Sequence, residues 1–234
     1  MRRLALRGTV FFGAFALTLS GGSITLGTDH VGNYFPFGFP VVGPGTRYQE
    51  AYSSSLFSGP VVIAGIEFFL QPGGIDDALR PATYFLSLST IQRGVDDLSD
   101  TNFDGNLGTD NTPFLTVSLI GGSPNELSFV GTPFLYDPSA GNLLLDIQLS
   151  NMADNSGSAA FQDEGGDGPA TIARYTNFGT GTSGFGLVTK FDVTSPVPEP
   201  GTGPALLAGL AAIALLHIAR RVCAVVRRIG SHTT

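Results

Sequence analysis

An all-β body, an antiparallel β-sandwich of jelly-roll type, is predicted for residues 24–195 by three observations. Apolar and polar residues alternate at a period of two through five segments, as half-buried strands require. Glycine, proline, asparagine and aspartate cluster between those segments, where tight turns need them. Between the two ends of the chain, no ten-residue window carries a helical period. About eight strands joined by such turns suit a sandwich. No internal repeat points to a propeller or β-helix.

From the N-terminus, Met1-Arg2-Arg3-Leu4-Ala5-Leu6-Arg7 is a positive leader, and residues 8–19 form an apolar run of twelve. Ser20-Gly21-Gly22-Ser23 supplies small residues for cleavage. This is the layout of a secretory signal peptide over residues 1–22, whose apolar part is too short to span a bilayer. Cleavage is expected near Gly22, with Ala16 as the alternative.

The strands follow in order. Ile66, Phe68 and Leu70 alternate around Glu67. Tyr84, Leu86 and Leu88 alternate with Thr83, Phe85, Ser87 and Ser89. Leu115, Val117 and Leu119 alternate with Thr116 and Ser118, and Leu143, Leu145, Ile147 and Leu149 with Leu144, Asp146 and Gln148. Leu187, Phe191 and Val193 share a side opposite Val188, Lys190 and Asp192. Weaker signals cover 47–52, 126–130 and 171–177. The turns between them include Gln71-Pro72-Gly73-Gly74, Gly121-Gly122-Ser123-Pro124-Asn125 and Asp137-Pro138-Ser139-Ala140-Gly141-Asn142.

Charge and composition narrow the function. Residues 24–195 hold five basic residues (Arg47, Arg80, Arg93, Arg174, Lys190) against eighteen acidic ones, a net charge of −13. Such a body repels nucleic acid and attracts cations. The one cysteine, Cys223, lies near the C-terminus, so the body has neither disulfide nor thiol chemistry. Its one histidine, His30, falls close to the processed N-terminus. A Ser-His-Asp triad would depend on that residue, and no histidine cluster offers a transition-metal site. No glycine-rich phosphate loop precedes a helix. Asp76-Asp77 and Asp96-Asp97 are carboxylate pairs in loops, where solvated turns are the ordinary role. The chain is therefore read as non-enzymatic.

Calcium is the better chemical candidate. The stretch from Asp96-Asp97 through Asp100, Asn102, Asp104, Asn106 and Asp110 packs oxygen ligands among glycines, as hard cations require. Asp100, Asp104, Asn106 and Asp110 form the candidate ligand set. Phe103 interrupts the spacing of an EF-hand loop and no glutamate closes it. Asp163-Glu164-Gly165-Gly166-Asp167 is a second acidic cluster. An acidic solvated turn is the alternative for both, and no other cofactor is indicated.

At the C-terminus, Ser195-Pro196-Val197-Pro198-Glu199-Pro200 is extended and accessible, because its prolines fix φ and remove donors. An apolar run at 205–219 ends at Arg220-Arg221, and Val222-Cys223-Ala224-Val225-Val226 continues it. With arginine stems reaching the headgroups, about 204–226 is long enough to span a membrane. Arg220, Arg221, Arg227 and Arg228 hold that end in the cytoplasm. Residues 196–234 thus form a sorting and anchor segment.

This tail resembles the PEP-CTERM sorting domain of exported bacterial proteins. The resemblance is carried by Val197, Pro198, Glu199 and Pro200, the spacer Gly201-Thr202-Gly203-Pro204, the apolar helix and the stop at Arg220 and Arg221. It implies recognition by an exosortase, a membrane processing enzyme, and a membrane-anchored precursor that ends at the cell surface or outside the cell. It also implies a setting rich in extracellular polysaccharide. The chain departs from the usual pattern by a second apolar patch and arginine pair within 222–234. Stretches at 103–111, 133–147 and 186–191 are similar to ectodomains of the same class, which imply a β-sandwich and no transferable activity.

Two functional readings follow. One is a non-enzymatic surface or extracellular-matrix protein. The other is a carbohydrate- or exopolysaccharide-binding module. Without tryptophan, its aromatic platform would come from Tyr34, Phe35, Phe37, Phe39, Tyr48 or Tyr52. The same rings could instead pack on the core.

Overall fold

A computed structural model describes residues 21–28, 32–38, 46–71, 78–122, 126–153, 158–165, 171–176, 179–183 and 185–196. The strands are β1 (Gly21–Leu26), β2 (Gly32–Asn33), β3 (Arg47–Tyr52), β4 (Val61–Phe69), β5 (Ala82–Ile91), β6 (Thr112–Leu119), β7 (Glu126–Tyr136), β8 (Asn142–Ser150), β9 (Phe161–Gln162), β10 (Ile172–Thr176), β11 (Gly179–Ser183) and β12 (Thr189–Thr194). The helical pieces among the described residues are short 3-10 turns at Ser54–Leu56, Asp104–Asn106 and Pro138–Ala140. The described residues are mostly β, in antiparallel sheets. One sheet runs β1-β12-β4-β7, a second runs β11-β10-β3-β8-β5-β6, and β2 pairs with β9.

The five alternating segments are β4, β5, β6, β8 and β12, and the three weaker signals are β3, β7 and β10. Each alternation sorts its strand between two environments. In β8, Leu143, Leu145, Ile147 and Leu149 enter the main core, whereas Gln148 is exposed. In β5, Tyr84, Leu86 and Leu88 are buried, and Phe85 faces outward between the half-buried Thr83 and Ser87. Strand β1 begins at Gly21, inside the segment read as signal peptide, and pairs with β12 from Gly21↔Thr194 to Leu26↔Thr189.

Both large sheets feed one core. Tyr48, Tyr52, Tyr84 and Leu145 from the six-stranded sheet join Ile66, Phe68, Phe129 and Phe191 from the four-stranded one. The Tyr52 and Phe191 rings meet edge to face at 5.1 Å. Phe37 sits at the centre, with ring centroids 5.3 Å from Phe68, 5.2 Å from Tyr84, 5.8 Å from Phe129 and 5.4 Å from Phe161. Tilted aromatic pairs at such spacings add to area burial. This packing accounts for the aromatic-rich segment around residues 35–40, of which Phe39 lies outside the described residues.

The other face of the six-stranded sheet is half roofed. Residues 92–111, between β5 and β6, fold back over it. Val95, Leu98 and Phe103 pack on Ala51, Ile91, Leu144, Ala173 and Tyr175, with Leu107 beside them. Leu144 and Asp146, on the polar side of β8 by sequence, are buried by this roof. Gly108 lets the roof close, since a Cβ there would lie 2.0 Å from the Thr90 carbonyl oxygen.

Among the described residues, no helix is long and apolar enough to cross a membrane. The signal peptide up to Ser20, the sorting residues Val197, Pro198, Glu199, Pro200, Arg220 and Arg221, and the expected span at about 204–226 lie outside them, as do His30, Asp76 and Asp77.

Candidate functional site

The roof is fastened by a buried polar network built on β3 and β8. Alternation puts Arg47 and Gln49 of β3 on the same face as Asp146 and Gln148 of β8, with Arg47 opposite Gln148 and Gln49 opposite Asp146. Asp146 is almost fully buried and accepts four bonds. Arg47 Nε donates to Oδ1 at 2.6 Å and Nη2 to Oδ2 at 3.1 Å. Gln49 Nε2 donates to Oδ1 at 2.9 Å and Gln148 Nε2 to Oδ2 at 3.1 Å. A buried carboxylate is tolerated when it is matched in this way.

The network then climbs into the roof. Arg47 Nη1 donates to Asp104 Oδ1 at 2.6 Å, and its guanidinium lies 5.7 Å from the Phe103 ring centroid. Gln49 Nε2 also donates to the Phe103 carbonyl at 3.0 Å, and Gln49 Oε1 accepts from Asn106 Nδ2 at 2.8 Å. Burial pulls the Arg47 pKa down, but the bonds and charges of Asp146 and Asp104 outweigh it and leave it raised.

The four residues read as calcium ligands are placed as follows. Asp104, its side chain 84% exposed, pairs with Arg47. Asn106 is buried; it donates to Ser99 O at 2.7 Å and accepts from Ser99 N at 2.8 Å. Asp110 Oδ1 accepts from Thr90 N at 2.8 Å, fixing the return into β6. Asp100 lies half-buried near Tyr175, whose hydroxyl burial pushes up in pKa, with Asp96, Asp97 and Asp100 adding to the effect against a Leu98 backbone bond. Among the described residues, no three carboxylate, histidine or cysteine side chains are grouped to hold a metal. Of the second acidic cluster, Asp163, Glu164 and Gly165 are described. Asp163 is buried opposite Leu187, and Glu164 Oε1 accepts from Thr171 Oγ1 at 2.7 Å.

A cleft of about 510 Å³ opens beside the roof, lined by Gln92, Arg93, Asn106, Asp110, Leu135 and Asp137 among others. Asp137 on its rim is held below its ordinary pKa by the Ser139 hydroxyl and then the Ser139 amide. A carboxyl group is also buried inside the core: Tyr48 donates to Glu50 Oε2 at 2.5 Å. Burial first, and the Glu50 charge second, push the Tyr52 hydroxyl well up in pKa against its bond to Thr189.

The unroofed half of the six-stranded sheet is open. Its register sets Thr116, Phe85 and Gln148 in one row across β6, β5 and β8, with Arg47 of β3 next in line beneath the edge of the roof. Ser118, Thr83 and Ser150 form the adjacent row. Thr83 and Ser118 hydroxyls meet at 3.1 Å. Phe85 is 42% exposed at the middle of this polar field.

The aromatic candidates taken from sequence divide differently. Phe37, Tyr48 and Tyr52 are buried, Phe35 packs against the core, and Tyr34 is exposed. Phe85 was missed, although its place on the side of Thr83 and Ser87 was itself the signal. No family model, curated protein or solved structure matches the chain.

Proposed function

We propose that the chain is an exported, non-enzymatic protein of the cell surface or extracellular matrix, sorted by its C-terminal segment and processed by an exosortase-type membrane enzyme. The observation that carries this is the order of parts at the C-terminus: Val197-Pro198-Glu199-Pro200, then an apolar run, then Arg220-Arg221. The non-enzymatic reading rests on the body's inventory of one histidine and no cysteine. A jelly-roll sandwich suits the body. The strand orders β1-β12-β4-β7 and β3-β8-β5-β6, the latter extended by β10 and β11, support it, as does the shared aromatic core.

Alkaline phosphatase fused after Pro196 tests the export. The fusion should be active, because the enzyme needs an environment outside the cytoplasm. An inactive fusion, with an active cytoplasmic reporter at the same site, would overturn the topology.

A second reading, a carbohydrate-binding module, is favoured by one observation: an exposed Phe85 ring among hydroxyl and amide side chains.

A further inference from the structure

We propose that the unroofed half of the six-stranded sheet, centred on Phe85, binds a neutral polysaccharide chain; this rests on the second reading above. A sugar ring has an apolar C–H face and a rim of hydroxyls. It matches a surface that offers an aromatic face with short polar side chains around it. The row Thr116–Phe85–Gln148 supplies that pattern across three neighbouring strands. At the spacing of antiparallel strands the row is roughly 10 Å long, so it can follow an extended glycan over about two sugars. Phe85 lies under one sugar. The Thr116 hydroxyl and the Gln148 amide, which keeps a second N–H and a carbonyl beyond its bond to Asp146, meet the rim. Thr83 and Ser118 serve the adjacent row.

Charge decides which polysaccharide. The nearest cation, Arg47, is matched by Asp146 and Asp104, so the row offers no surplus positive charge. The field of a body carrying −13 repels a polyanion. An uncharged polymer of hexoses loses nothing to that field. The roof forms one wall of the face, through Asp104 and Phe103, and the β6 edge is the open side.

Affinity electrophoresis of the full-length chain in mild detergent, with a chelator present, tests this. The gels contain laminarin, dextran or hydroxyethylcellulose as neutral probes and alginate as an anionic one. The chain should be retarded by at least one neutral polymer and not by alginate. Phe85→Ala should weaken that retardation about tenfold or more. Phe85→Tyr should keep it, and so should Tyr34→Ala, which removes the other exposed ring among the described residues. Unfolding midpoints of these surface variants should match the parent. Retardation that survives Phe85→Ala would overturn the site but leave a carbohydrate-binding module elsewhere on the chain. Retardation by alginate alone would overturn the neutral assignment. No retardation in any gel would overturn the second reading and this proposal with it.

Discussion

Gly21 stands opposite Thr194 at the end of the β1–β12 pair, so the chain enters and leaves the body at one corner. The apolar leader at 8–19 precedes Gly21 and the sorting motif follows Thr194 by three residues.

Residues 21–26 must survive export for β1 to form. Mass spectrometry of the exported protein should find an N-terminus at or before Gly21. Cleavage after Ala16 satisfies this. A mature chain that starts at Ile24 or later would contradict the β1 pairing, since half the strand would be missing.

Asp146 is the keystone of the roof. Asp146→Ala leaves Arg47, its side chain only 13% exposed, with a buried charge that lacks its main partner, which typically costs about 3–5 kcal/mol. Asp104→Ala removes the exposed partner of the same arginine and should cost about 0–1 kcal/mol. Denaturant unfolding of the two variants measures the difference. Equal, small losses would mean the network does not hold the roof.

Alkali should unfold the protein through its tyrosines. Burial raises the hydroxyls of Tyr52, Tyr84, Tyr136 and Tyr175 above their ordinary 10.0, with nearby carboxylates adding to Tyr52, Tyr136 and Tyr175 and Arg80 opposing at Tyr84. The folded state thus disfavours the phenolate. Stability is flat below the unfolded pKa of about 10 and falls as pH rises beyond it. The phenolate absorbance of these four tyrosines should rise in one cooperative step together with loss of the β-sheet circular dichroism signal. Full ionisation with that signal intact would contradict the burial of these side chains.

The sequence made the strands legible wherever one face is apolar and the other polar, as in β5 and β8. It hid β1, because Gly21, Gly22 and Ser23 read as small residues for cleavage; that strand is held by backbone pairing to β12. It hid β11, whose Gly179-Thr180-Gly181-Thr182-Ser183 carries no apolar alternation. The acidic stretch 96–110 was legible as oxygen-rich, but not as a roof. Asp104 finds Arg47, and Asn106 finds Gln49, across 57 residues of chain each. Partners that distant become visible only once β3 and β8 lie side by side. Phe85 was readable as an aromatic on the polar side of its strand, whereas its isolation needed the extent of the roof.

Sorting through the C-terminal segment is the central claim, and mass spectrometry of the surface and secreted fractions of the native host tests it most directly. The chain should be cut at or near Val197-Pro198-Glu199-Pro200, so that Cys223 and Arg220, Arg221, Arg227 and Arg228 are absent from those fractions. Replacing Pro198, Glu199 and Pro200 with alanines should leave the tail attached and the protein in the inner membrane, because an extended, proline-fixed segment is what a membrane enzyme can seize without unfolding it. Recovery of intact peptides covering 229–234 from the surface fraction would contradict the account and make the tail a permanent anchor.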